Sequence, residues 1–430
     1  DSSELLKRYA TIGMGPSQGK HSNLNALRLL ARLTGQSMNS SRLTTARPFT
    51  APVPMAHLAG RSFTPIQHTP AHGRHESLKA KFMYAGTWLR PAYYRRPGKN
   101  SAACIEEETL SLRSRVGLID VSTLGKLEIS GRDAVGFLER IYTGRFSRLP
   151  VGMTRYAVMC DETGVIIDDG VIARITTDRF YVSTTSSGAD QVYRELQRWA
   201  SIWCLEVTLV NATSTYGAFN IAGPLSREVL SKVTDVDLSA SSFPYLGCQE
   251  GTVAGVPARL SRVGFVGELG YEVHVPASLA AGVWDNLLQV GELQGIVPVG
   301  IEAQRILRLE KGHLIVSQDT DGLTDPFEAG LGWAVKMDKP FFVGKRSLEI
   351  LRRRGMRRQL VGFSIPENLP APFENHLIVD GDHIVGRVTS VASSHSAGCT
   401  IGLAFVPPEY SQINSTLNIK IDQGVICKAS

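Results

Sequence analysis

Two carboxylates stand side by side in the stretch Asp161-Glu162-Thr163-Gly164-Val165-Ile166-Ile167-Asp168-Asp169-Gly170. The apolar residues ahead of them read as a strand, where an unpartnered buried charge is costly. Neighbours on a strand point to opposite faces, so one of Asp168 and Asp169 should face inward and the other water. An inward carboxylate in a pocket is a candidate proton acceptor or amine binder. A hairpin end with two solvated acids fits the same residues, and this stretch alone leaves both readings open. Glu272 raises a similar question in the apolar run Tyr271 to Val275, whereas Glu268 sits in the turn before it. Such a carboxylate can accept two parallel N–H bonds from a guanidine-like heterocycle edge. It can equally pair with a core cation such as Arg308. Arg305 and Arg308 fall three apart between Glu302 and Gly312, where they can share one face of a helix that buries Ile306 and Leu309.

Other patterns carry less chemistry. Gly13-Met14-Gly15 with Gly19-Lys20 has the wrong spacing for a phosphate loop, and His21 stands where Ser or Thr should bind magnesium. His68, His72 and His75 lie in a Pro/Gly-rich stretch without nearby carboxylates, so they read as surface or interface histidines and no metal site is expected. Arg352, Arg353, Arg354, Arg357 and Arg358 form a charge run expected to be solvated. No Gly-x-Ser-x-Gly elbow is present.

The elements that must position these residues follow from periodicity. Residues 1–35 read as two short helices ended by Gly35. Residues 36–83 read as an extended linker in subunit contact, with Phe49, Val53, Leu58 and Phe63 laid over a partner. In residues 84–336, strands in hairpins alternate with helices. Arg155 to Met159 pairs with Val165 to Arg174, Asp133 caps a helix through Ile141, and strands lie between Ala258 and Val275. That order predicts antiparallel α+β layers rather than a parallel dinucleotide-binding sheet. Short strands spaced by Gly and Pro over 337–430 predict a small β-barrel.

Bulk properties set the limits. At 430 residues the chain suits two or three domains, and 43% hydrophobic with 20% charged residues is a globular profile. A net charge of +6 is mild for this length, so no nucleic-acid partner is expected, and no apolar run is long enough for a membrane helix. Six scattered cysteines without a CxxC pair point to a reducing cytoplasm. The start at Asp1-Ser2-Ser3-Glu4 and the apolar run Val425 to Ser430 suggest a piece of a longer chain, cut inside a strand at its end.

Together, Val116 to Ser122, Asp161 to Gly170, Gly267 to Glu272 and Leu307 to Gly312 resemble the aminomethyltransferase, or glycine cleavage T-protein, family. Arg8 to Lys20, Thr44 to Pro48, Ser317 to Thr324 and Val343 to Leu348 resemble more narrowly the α-subunit family of heterotetrameric sarcosine oxidases. The resemblance implies a T-protein-like folate-binding fold and a tetrahydrofolate-binding, one-carbon-accepting role beside an amine oxidase. Asp168 is the implied catalytic carboxylate and Glu272 the implied pterin ligand. Phe265 stands where T-proteins have Tyr, and Gln304 where they have Arg, with Arg305 one step along. Tyr156 and Thr184 complete the implied cofactor contacts. FAD or FMN and NAD are expected in partner subunits or in an upstream half, and a flavin-containing β subunit with small subunits as partners. An assembly module without catalysis and a stand-alone folate-dependent transferase are the alternatives.

Overall fold

The computed structural model describes residues 2–15, 17–38, 47, 48, 53, 55 and 65–430. They fall into two units, Asp1–Pro65 and Ile66–Ser430. In the first, the helix Ser3–Ala10 starts where the Ser2 hydroxyl accepts the Leu5 amide at 3.3 Å, and Glu4 and Lys7/Arg8 complement its dipole. The second helix, Asn23–Thr34, buries Leu27 and Ala31 and ends at Gly35, whose φ of 68° suits a residue without Cβ.

In the second unit, alternating apolar residues build two antiparallel sheets. One has five strands in the order Thr154–Cys160, Ile166–Arg174, Arg179–Thr184, Gly125–Ser130 and Thr208–Asn211. Its inner face carries Leu127, Ile129, Ala157, Met159, Ile172, Phe180 and Val182, buried beneath the helices Ala134–Ile141 and Ala189–Trp203. The other sheet has six strands in the order Cys248–Val253, Val256–Ser261, Gly270–Pro276, Tyr216–Ala222, Gly117–Asp120 and Val297–Val299, and its last pair is parallel. The helix Ala277–Val290 packs Trp284 and Leu287 on one face, against Phe219 and Val273. On the opposite face, Ala218 and Ala222 meet Leu112 and Leu307, from the helices Ser101–Ser114 and Ile301–Lys311.

Six further antiparallel strands, Gln359–Pro366 to Ile426–Ala429, curl around Phe363, Ile365, Val388 and Ile419. Ser364 and Ser430 exchange backbone bonds of 2.8 and 3.0 Å, which draws the first and last strands together. The antiparallel α+β architecture and the C-terminal barrel are those the periodicity predicts. Near the end of the given sequence, the strand Ile426–Ala429 pairs with Leu417–Lys420.

Four local expectations differ. Phe49, Leu58 and Phe63 of the expected linker lie outside the described residues. Residues 67–83 are not extended: they form the strand Gln67–His68, the helix His72–Ser77 and part of the strand Ala80–Ala85. His75 is no surface residue. It is fully buried, bonded to Asp120 at 2.7 Å and to the Tyr94 hydroxyl at 2.9 Å, and those partners anchor the helix. Asp133 stands at the N-cap of its helix, but its side chain accepts the Glu206 amide and not an amide of the helix. Arg358 is not a solvated end charge, because Asp321 holds it at 2.8 Å and Glu328 at 3.0 Å.

Candidate functional site

The paired strands Thr154–Cys160 and Ile166–Arg174 decide where the two carboxylates point. Met159 lies opposite Asp168 and Ala157 opposite Gly170, so Asp168 shares the core face beneath the helices. Val158 lies opposite Asp169 and Tyr156 opposite Val171, so Asp169 and Tyr156 share the other face. Asp168 is 2% exposed. Its Oδ2 accepts the Thr185 amide at 3.2 Å, and its Oδ1 has no partner among the described residues. Burial, and then the charge of Asp169, push its carboxyl up to about 7. Thr184 lies on the same side, where the hydroxyl sits over Gly125 and close to Ala189.

Asp169 is half-buried, and its Oδ2 accepts the Tyr156 hydroxyl at 2.7 Å. Burial raises its carboxyl to about 6, and the Tyr156 hydroxyl opposes that rise. The Tyr156 ring stacks on Trp333 with centroids 5.3 Å apart, and Trp333 is 63% exposed. Asp169, Tyr156 and Trp333 therefore place a half-buried acid beside a flat aromatic surface. Asp168, the expected catalytic residue, and Thr184 face the hydrophobic core instead. Of the two adjacent acids, Asp168 is the inward one and Asp169 the one beside Tyr156.

Glu272 extends from the six-stranded sheet beside Asn220, on the face that carries Ala218 and Ala222. It pairs with His274 at 3.3 Å and not with Arg308, which is committed to Asp319 at 2.5 Å. The other ring nitrogen of His274 meets the Tyr181 hydroxyl at 3.0 Å, and the Arg259 guanidinium lies 4.2 Å over the Tyr181 ring. Tyr181 is on the five-stranded sheet and alternates with the core residues Phe180 and Val182, so it shares the face of Asp169. The Tyr181–His274 bond thus joins the two sheets, on the Asp169 face of one and the Glu272 face of the other. Lys126 lies on the same face, opposite Ser183. It is buried, and its ammonium donates to the carbonyls of Ser122, Leu124 and Thr213 at 2.7, 2.9 and 3.3 Å. Burial lowers it to about 8, while the charges of Asp120 and Glu272 hold it up.

Of the remaining expected contacts, Gln304 and Arg305 sit on the helix Ile301–Lys311, and Phe265 packs on the segment that follows it. Phe265 stacks on His313 at 5.6 Å and accepts a 2.7 Å bond from His313 Nδ1 at its carbonyl. Leu314 and Val316, just beyond, pack with Tyr156. Gln304 is buried with its Oε1 unpaired among the described residues. Arg305 is half-buried and pairs with Glu302 and Glu374. Residue types gave no pointer to Trp333, His274 or Lys126, because each owes its place to a partner distant in sequence. Among the described residues no three His, Cys, Asp or Glu gather as a metal would require, and no helix is long and apolar enough to cross a membrane.

Residues 71–339 match the GCVT N-terminal domain, and residues 358–430 match the glycine cleavage T-protein C-terminal barrel domain. The chain belongs to the glycine cleavage T-protein family. Residues 1–61 of this T-protein relative also match the sarcosine oxidase A3 domain. The chain is 39% identical over 423 residues to the sarcosine oxidase subunit alpha of Rhizobium meliloti (strain 1021), covering 94% of this chain and 42% of that one. It therefore spans about two fifths of that relative's length. It is 32% identical over 358 residues to the aminomethyltransferase of Desulfitobacterium hafniense (strain DSM 10664 / DCB-2), covering 83% of this chain and 94% of that one. The crystal structure of aminomethyltransferase T from the Bartonella henselae glycine cleavage system superposes with a TM-score of 0.76 at 24% identity, over 85% of this chain and 96% of that chain. That likeness establishes the T-protein fold.

Proposed function

We propose that this chain is the tetrahydrofolate-binding, one-carbon-accepting module of an amine oxidase of the sarcosine oxidase type. The observation that carries the reading is that Asp169 and Glu272, drawn from separate sheets, lie on the two faces that the Tyr181–His274 bond joins. A flat heterocycle with a guanidine-like edge and a nearby amine satisfies both. Tetrahydrofolate supplies such an edge, together with a nucleophilic N5 that adds to an iminium or formaldehyde carbon; N10 then closes on the same carbon as the amine or water leaves, giving 5,10-methylenetetrahydrofolate.

Glu272 accepts the N3–H and 2-amino hydrogens of the pterin, a charge-assisted bidentate contact. His274 and Tyr181 fix its carboxylate from behind. Asp169 takes the proton that N5 releases as the new bond forms. A carboxyl raised to about 6 is mostly ionised at neutral pH and still a stronger base than an ordinary aspartate. Tyr156 orients it, and the Tyr156–Trp333 stack offers an apolar wall. The unpaired Gln304 Oε1 is suited to a donor on the ligand, and Phe265 to its ring. Asp168 and Thr184 support this face from the core side. The iminium itself would come from a flavin-bearing partner subunit, with flavin and NAD held there or by chain outside these residues. Calorimetric titration of the full chain with tetrahydrofolate tests the reading: saturable binding at one site supports it, and no binding overturns it.

A further inference from the structure

Arg305 is the one basic side chain among the expected folate contacts, and the chain already engages it. Its guanidinium pairs with Glu302 at 3.6 Å, one helical turn away, and with Glu374 at 2.8 Å, from the C-terminal barrel. Glu374 belongs to the turn that leads into the strand Leu377–Asp380. That turn is built without help from Glu374. The Phe373 amide donates to His376 Nδ1 at 3.1 Å, the two rings meet edge-on at 5.7 Å, and Asn375 donates to the Val388 carbonyl at 2.8 Å. Asn375 has a φ of 69°, a conformation that Asn tolerates better than most residues. Glu374 is thus presented on a formed turn.

A second donor reaches the same oxygen. The Gln318 amide donates to Glu374 Oε1 at 2.8 Å, and to the Ser390 hydroxyl at 3.0 Å. Gln318 closes the segment that begins with His313 against Phe265 and carries Leu314 and Val316 against Tyr156. A guanidinium and a carboxamide therefore converge on one carboxylate oxygen at the edge of the described cluster. That is a carboxylate-binding arrangement, occupied by a side chain of the chain itself.

We infer that Glu374 competes with the carboxylate of the folate's glutamate tail for Arg305 and Gln318. The inference rests on the folate reading above and adds the residue that sets preference for the tail. Arg305 and Glu374 keep side-chain exposures of 32% and 41%, so their pair is of the exposed, weakly held kind. A ligand carboxylate gains the same two donors, and only the Glu374 side chain has to swing away, since the turn's own bonds are independent of it.

The test titrates the full chain, wild type and Glu374→Gln, with 5-formyltetrahydrofolate and with 6-methyltetrahydropterin, which lacks the tail. Glu374→Gln should bind the folate about two- to fivefold more tightly at low salt, the range expected on releasing an exposed ion pair. The gain should shrink at about 0.5 M salt, and the affinity for the tail-less pterin should not change. Adding Arg305→Gln should abolish the gain. An unchanged folate affinity in Glu374→Gln, or an equal gain for the tail-less pterin, overturns the inference and leaves the folate reading standing. Failure of both ligands to bind the wild-type chain overturns the folate reading, and the inference with it.

Discussion

Asp168 and Asp169 adjoin in sequence and oppose in space, so exchanging each for Asn separates two roles that homology to a motif cannot. Asp169 shares its face with Tyr156 and is half-buried, whereas Asp168 is buried on the core side. With a carboxyl raised to about 6, Asp169 is about ten to one ionised at pH 7 and about one to ten at pH 5. Asp169→Asn removes the proposed proton acceptor and should lower methylene transfer by roughly 10²–10⁴-fold, the usual worth of a general base. Asp168, raised to about 7, is about half protonated at neutral pH, and Asn mimics its protonated form in shape. Asp168→Asn should therefore stay within about fivefold of wild type, a change of about 1 kcal/mol. The assay is the yield of 5,10-methylenetetrahydrofolate from the full complex at saturating folate, followed from pH 5 to 8. Wild type should climb as pH rises through about 6 and then level off. A hundredfold loss in Asp168→Asn beside an active Asp169→Asn would refute the assignment.

Three further outcomes follow from the same geometry. Between about pH 4 and 7 the folded chain keeps a proton on Asp168 that the unfolded chain releases, so stability falls as pH rises through that window, by at most about 4 kcal/mol from this group. In urea melts Asp168→Asn should gain on wild type at pH 8 and not at pH 4, and parallel pH profiles would contradict the buried, protonated carboxyl. Glu272→Gln should weaken tetrahydrofolate binding about 10- to 100-fold, as loss of a charged hydrogen bond implies. An unaltered calorimetric affinity would remove Glu272 from the pocket. Tyr156→Phe deletes the hydroxyl that favours ionised Asp169 and keeps the ring on Trp333, so the acid limb of the pH–rate profile should move above 6. A limb that stays put would separate Tyr156 from the reacting acid.

The hairpin carrying the two acids is legible from alternation alone, and so are most strands and the barrel, because each buries one face and the period of two is written in the residues. What alternation cannot supply is phase. Cys160 lies opposite Ile166 and Met159 opposite Asp168, so Ile167 is an extra residue in the ladder. Counting evenly from Ile166, Asp168 would share the face of Ile166, Val158 and Tyr156. The bulge turns it to the core face and brings Asp169 round beside Tyr156, a one-residue slip with the consequence such slips always have. Nothing in Ile166-Ile167-Asp168 marks the bulge, since both isoleucines suit either face.

A similar limit governs the rest of the site. His75 sits in a polar run and is buried only because Tyr94 and Asp120 come to it from distant strands. Glu272 reads equally as the partner of Arg308 until Asp319 is seen to hold that arginine. Chemistry placed between two sheets depends on contacts that no window of sequence contains, while the strands themselves are local. The functional assignment therefore turns on one geometric fact, the face on which Asp169 lies. The Asn exchanges at 168 and 169 test that assignment, because neither changes the volume of the strand and only one removes a carboxylate from the face of Tyr156.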